Sequence, residues 1–313
     1  MSAVSKVIAK LRQGPRYVYF HDAARSRILR TAPVPHTTDP GCEVHVLTSR
    51  HDWLDLMWCL KSFYAVTRRR YKLCIHDDGT FDETIAAAFA HHFPDARLIR
   101  KAEADRDVPP ALTHLPQCTI YRQTVPLATR VFDFAHYLRA DRMLVLDSDV
   151  LFFKPPTVLL DRIDDPGYAR CSFNRDVASF YTMDAAAARD RLGIDLLDRF
   201  NAGFGLLQRD AIDFDLVERC LLAHNADGRY PREIDQTLLA LLASSFGCDL
   251  LPEPYDVRTD AGLGERPSRH YAGAARRLMY TEGLPTLIRQ GLSRAARSAK
   301  PTPAGSVAAE ALS

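Results

Sequence analysis

Asp147 and Asp149 stand two residues apart, directly behind the apolar run Met-Leu-Val-Leu at 143–146. On an extended backbone residues two apart point to the same side, so both carboxylates face one point and Ser148 turns away. Two like charges at the margin of an apolar core need a neutralising partner. A divalent cation with oxygen ligands is the natural one. A bare Asp-x-Asp reads as an exposed turn, but a second apolar run, Val-Leu-Phe-Phe at 150–153, follows this one and favours the cation.

The elements that must hold this pair are legible as apolar patterns. Residues 43–48 (EVHVLT), 71–76 (YKLCIH) and 142–147 (RMLVLD) have the length and composition of buried strands, with weaker candidates at 96–100, 168–173, 203–207 and 248–252. Residues 51–65 and 81–93 carry apolar side chains three and four apart and are predicted as amphipathic helices; 121–138 is predicted as one longer helix leading into 142–147. This alternation implies an α/β fold with a mostly parallel central sheet and helices on both faces. In such sheets ligands bind beyond the carboxyl ends of the strands. Thr48-Ser49, Asp77-Asp78-Gly79 and Asp147-Ser148-Asp149 are the polar groups at those ends. No G-x-G-x-x-G follows the first strand and no G-x-x-x-x-G-K-[ST] occurs, so the dinucleotide fingerprint and the P-loop are both absent.

The stretch 142–156 (RMLVLDSDVLFFKPP) resembles the D-x-D region of GT-A glycosyltransferases, in particular glycosyltransferase family 8. Further segments are similar in the family's order: Arg130 upstream, Phe200-Asn201-Ala202-Gly203, Asp235-Gln236, and His270-Tyr271-Ala272-Gly273. The resemblance spans about residues 43–276. It implies a Rossmann-like GT-A fold, a nucleoside-diphosphate sugar donor (UDP in the family), and a Mn²⁺ or Mg²⁺ ion held by Asp147, Asp149 and His270. It further implies donor contacts from Arg130, Ser148, Ala202, Gly203, Gly273 and Arg276, with Asn201, Asp235 and Gln236 at the reacting sugar and retention of anomeric configuration. Thr48, Ser49 and Asp77 are the expected contacts at the nucleoside end; Asp77 also reads as the turn between a strand and a helix. Thr237 stands where the family often has a second acid, and Arg276 where it has a lysine. Arginine also binds phosphate, with a different geometry. An inverting enzyme would instead need a carboxylate base, for which Asp235 and Glu233 are the candidates. A noncatalytic nucleotide-sugar-binding protein is the alternative of another class. A sugar-phosphate nucleotidyltransferase would need a Gly-rich loop after 43–48, and none is there.

Composition sets the remaining bounds. The chain has 313 residues, 47% hydrophobic and 26% charged, with a net charge of +2, which excludes general disorder and argues against a nucleic-acid binder. That charge is unevenly spread: residues 1–30 and 264–300 each carry +6, and 31–263 carry −9. Seven cysteines without a C-x-x-C pair read as reduced thiols of a cytoplasmic protein. No signal-peptide pattern begins the sequence, and no apolar run approaches the roughly 20 residues of a membrane span. The expected layout is an irregular N-terminal extension (1–40), the glycosyltransferase-like domain (41–280), an amphipathic basic helix (281–300) and a disordered tail (301–313). The basic helix either packs on the domain or lies on a membrane surface; the acceptor is a glycan, a lipid-linked or a small molecule, and the membrane case would favour a lipid-linked or envelope glycan acceptor.

Overall fold

The computed structural model describes residues 13–35, 39–224, 230–231 and 234–292. The expected tail at 301–313 and Glu233 lie outside them. Among the described residues a six-stranded sheet runs in the order β3-β2-β1-β4-β7-β6, with β1 Asp39–Thr48, β2 Tyr71–Asp77, β3 Arg97–Ile99, β4 Arg142–Leu146, β6 Ser172–Arg175 and β7 Phe200–Gln208. β1 pairs in parallel with both β2 and β4, and β2 with β3. β7 pairs antiparallel with β4 and with β6, so β7 alone runs against the rest. A two-stranded antiparallel ribbon, β5 Val150–Phe152 with β8 Ser268–His270, sits beside the D-x-D turn.

Strand alternation explains why apolar residues stand on both faces of these strands. Val44, Val46, Leu144 and Leu146 enter one hydrophobic cluster, while Met143 and Val145 enter a second. The sheet is thus covered on both faces, as strands apolar on both sides require. Helix α1 (Trp53–Thr67) packs in the first cluster through Leu56, Met57, Leu60 and Phe63. It ends where Arg68 turns left-handed at φ 55°. Helix α2 (Glu83–His92) starts on Asp82, whose carboxylate accepts from the Ile85 N–H.

Three expectations are corrected. The single helix over 121–138 is broken into α3 (Pro116–Thr124), a 3₁₀ turn (Pro126–Arg130) and α4 (Phe132–Tyr137). Pro126 has no N–H to continue the first helix and opens the 3₁₀ turn. Among the described residues of the N-terminal extension, 15–30 are not irregular: helical turns cover them, Ile28 and Ala24 are fully buried, and the Trp58 indole N–H donates to the Arg25 carbonyl. Of the expected C-terminal helix over 281–300 the described residues reach 292; among them helix α5 covers Leu284–Arg289, and its Leu284 and Leu287 are buried in the first cluster. Its apolar side is therefore used inside the protein, which leaves the membrane-surface reading without support. No described helix is long and apolar enough to cross a membrane.

His92 at the end of α2 is buried with an unpartnered Nδ1. Burial, with Lys61 and His91 adding repulsion, lowers its pKa from 6.5 to about 4. A depressed folded-state pKa means the neutral ring contributes stability above about pH 6.5 that is lost as the pH falls towards 4. Urea denaturation across that window should show falling stability in the wild type and a flatter profile in His92→Phe. Parallel profiles would remove His92 from the account.

Candidate active site

β4 ends at Leu146, and Asp147–Asp149 form a turn rather than an extended pair; the Val150 N–H returns to the Asp147 carbonyl at 3.3 Å. The carboxylates converge all the same, because three partners fix the turn. The Asp147 N–H bonds to the Gly203 carbonyl at 2.8 Å, the Asp149 carbonyl accepts from Tyr271 N–H at 2.9 Å, and Val150 pairs with His270 across β5–β8. His270 Nε2 lies 3.1 Å from Asp149 Oδ1 and 3.7 Å from Asp147 Oδ2. These three residues, Asp147, Asp149 and His270, form a group whose ligand atoms lie within 4.8 Å of one another. Gly203 makes room for them: a Cβ there would sit 2.2 Å from His270 Cε1 and 2.7 Å from Asp147 Oδ2.

The other ring nitrogen of His270 has a defined partner. Asn201 Nδ2 donates to the buried Asp176 carboxylate at 2.6 Å, which turns Asn201 Oδ1 towards His270 Nδ1 at 2.9 Å. An amide oxygen only accepts, so Nδ1 carries the proton and Nε2 faces the two aspartates. Asn201 thus supports the histidine, and it also lines the cavity described below. Burial disfavours charge on His270, but Asp149, Asp147 and Asp176 outweigh it and raise its pKa. Burial likewise opposes ionisation of Asp149, and His270 and Arg276 overcome it, holding the carboxyl below its usual range. The two carboxylates and one imidazole, with Nε2 presented, are a donor set suited to Mn²⁺ or Mg²⁺.

Two arginines complete the electrostatics. Arg130, at the end of the 3₁₀ turn and almost fully buried, donates to Asp235 Oδ2 at 2.7 Å and to the Ala202 carbonyl at 2.6 Å; it lies 3.2 Å from Asp147 Oδ1. Asp235 lies in the first turn of the helix Ile234–Phe246. Burial raises the Asp235 pKa and Arg130 pulls it back. Arg276 spans Asp149 Oδ2 at 2.6 Å, Asp52 Oδ1 at 2.5 Å and Asp55 Oδ2 at 3.2 Å.

These groups line one cavity of about 950 Å³ at the carboxyl edge of β1 and β4. Thr48, Ser49, Arg130, Asp147, Ser148, Asp149, Asn201, Gly203, Asp235, Gln236, His270, Gly273 and Arg276 all line it. Asp77 and Ala202 do not. Asp77 Oδ1 instead accepts from the N–H groups of Gly79 and Phe81 at 2.7 and 3.2 Å, closing the turn after β2, and Asp78 takes its place at the cavity wall. Ala202 contributes only its carbonyl, to Arg130. Sequence reasoning missed Asp52, Asp176 and Phe180, which also line the cavity. Ser49-x-x-Asp52 before an apolar helix was a readable N-terminal signal; Asp176 and Phe180 lie in a loop with no local pattern.

No protein-family model and no curated protein sequence matches this chain. Solved structures do match in fold. Galactosyltransferase LgtC, crystallised with donor and acceptor sugar analogs, aligns with a TM-score of 0.54 and 17% identity over 83% of this chain and 98% of that one. Mouse xyloside xylosyltransferase 1, in its apo form, aligns at 0.50 and 14% over 73% and 96%. The bifunctional glycosyltransferase WbbM aligns at 0.51 and 13%, covering 85% of this chain and 53% of that one. The chain therefore has the GT-A fold of these glycosyltransferases.

Proposed function

We propose that this protein is a metal-dependent glycosyltransferase that moves a sugar from a nucleoside-diphosphate donor, UDP being the expected nucleotide, to an acceptor hydroxyl. The observation that carries the reading is the convergence of Asp147, Asp149 and His270 Nε2 on one wall of the large cavity at the carboxyl edge of a GT-A sheet. Those three residues would hold Mn²⁺ or Mg²⁺, whose charge stabilises a leaving diphosphate as a Lewis acid. Arg276 holds a second positive charge beside Asp149, where it is paired with Asp52 and Asp55 as well, and it would add its charge to the same anion. Thr48 and Ser49 close the cavity at the end of β1, the expected nucleoside end. Ser148, Gly203 and Gly273 bring backbone close to the donor.

Asp235 and Gln236 are the groups assigned to the reacting sugar. Gln236 Nε2 donates to the Phe180 carbonyl at 3.3 Å, which ties the cavity floor to its exposed rim. Asp235 Oδ2 is engaged by Arg130 while burial raises the Asp235 pKa, so retention rests on the family resemblance, and the product anomer decides between it and the inverting alternative with Asp235 as base. The acceptor would enter past Val177 and Phe180, both exposed at the rim. Sugar transfer or slow hydrolysis from a panel of UDP-sugars with Mn²⁺, followed by NMR of the first-formed anomer, tests the reading. Release of UDP with retained configuration is expected; no turnover of any donor contradicts the activity, and an inverted anomer contradicts retention.

The Asp176–Asn201 pair acts through His270 and is a positioning device. Asp176→Ala should weaken Mn²⁺ binding about 10–100-fold, the usual effect of removing an outer partner of a ligating histidine. Manganese EPR titration reads this directly, and unchanged affinity would show that Asn201 holds the ring unaided.

A further inference from the structure

A second group of metal-ligating side chains lies outside the cavity. His45 on β1 and Cys74 and His76 on β2 converge on the sheet face covered by Phe134 of α4. They come from alternating positions of paired parallel strands, with His45 in register opposite Cys74. That arrangement puts all three side chains on one face. His45 and Cys74 are fully buried and His76 is 1% exposed, and none of them lines the cavity described above. His45 Nδ1 lies 3.1 Å from His76 Nε2, and Cys74 Sγ lies 3.4 Å from the same nitrogen. An ion bonded at about 2.0 Å to nitrogen and 2.3 Å to sulfur, with near-tetrahedral angles, would set these edges at roughly 3.3 and 3.5 Å.

The surroundings match a built metal site in a second respect. Behind His45, Glu43 Oε2 lies 3.4 Å from Nε2. Glu43 is itself anchored by Arg97 Nη2 at 2.5 Å and by the Arg139 N–H at 2.7 Å. At 3.4 Å that carboxylate is a charge neighbour of Nε2 and not a hydrogen-bond partner; Nε2 is buried without one, as is His76 Nδ1, while His45 Nδ1 and His76 Nε2 face each other within the cluster.

We propose that Cys74, His45 and His76 form a buried structural site for a thiophilic d¹⁰ cation, Zn²⁺ or Cu⁺, under Phe134 and separate from the cavity. Binding replaces the Cys74 S–H bond by a sulfur–metal bond and releases that proton to solvent; no electrons are exchanged. Thiolate sulfur is what selects these ions over Mg²⁺ or Mn²⁺. With Cu⁺ the thiolate balances the charge outright; with Zn²⁺ one positive charge remains, because the Glu43 carboxylate behind His45 is already paired with Arg97. The ion would clamp β1 to β2 at the centre of the sheet.

The test uses the full chain, purified and desalted through a chelator that strips weakly held divalent ions. Elemental analysis should find one Zn or Cu per chain, and its identity separates the two sources. The Asp149→Asn variant should retain that metal, and Cys74→Ser should lose it. Protein expressed in Co²⁺-supplemented minimal medium should show a thiolate-to-Co²⁺ charge-transfer band that survives Asp149→Asn; the oxygen and nitrogen ligands of the cavity cannot produce it. Should Cys74→Ser fail to fold, the wild type and Asp149→Asn still decide. Absence of stoichiometric metal and of the thiolate band in both, or loss of the metal in Asp149→Asn, overturns the inference.

Discussion

Asp149→Asn should abolish Mn²⁺-dependent binding of UDP while leaving the fold intact. Asn keeps the size of the side chain and removes its charge, and Asp149 is the carboxylate on which His270 and Arg276 both converge. Loss of an outer partner alone costs up to about 100-fold in metal affinity, so loss of an anionic ligand should exceed that. Arg276 keeps Asp52 and Asp55 as partners in the variant, which preserves the local packing. Calorimetric titration of UDP into Mn²⁺-loaded variant should show no resolvable heat where the wild type binds. Equal affinity would place the cation elsewhere.

The second large effect is on stability. Arg130 is buried between Asp235 and Asp147, and its guanidinium is the charged partner that holds the Asp235 carboxylate, itself 4% exposed. Arg130→Met should therefore destabilise the protein by about 3–5 kcal/mol, because an uncompensated buried carboxylate remains. The double variant Arg130→Met/Asp235→Leu removes both charges and should regain most of that loss, yet remain inactive. This combination separates folding from chemistry. Denaturation of Arg130→Met at the wild-type midpoint would show that Asp235 does not depend on the arginine.

The strands were legible because both faces of this sheet are covered, so 43–48, 71–76 and 142–146 are rich in apolar residues on both sides of the strand. Their polar ends then pointed to the cavity edge. What escaped was set by contacts distant in sequence. The helical turns over 15–30 have no strong local pattern and are held by α1, through Trp58 and the buried Ile28. Asp77 and Asp78 exchange their expected places because β2 runs one residue further and Asp77 folds back to bond the turn. Asn201 was matched by resemblance to a sugar contact, but its orientation depends on Asp176, twenty-five positions earlier and visible as a partner only in the folded chain. Pro126, which cannot donate an N–H, is a local signal of the broken helix.

The central claim is that Asp147, Asp149 and His270 make nucleotide recognition depend on a divalent ion. Calorimetric titration of UDP into the wild-type protein, with Mn²⁺ and again with the metal chelated, tests it most directly. Binding is expected only with Mn²⁺ present. Equal binding in both conditions, or none in either, would contradict the account.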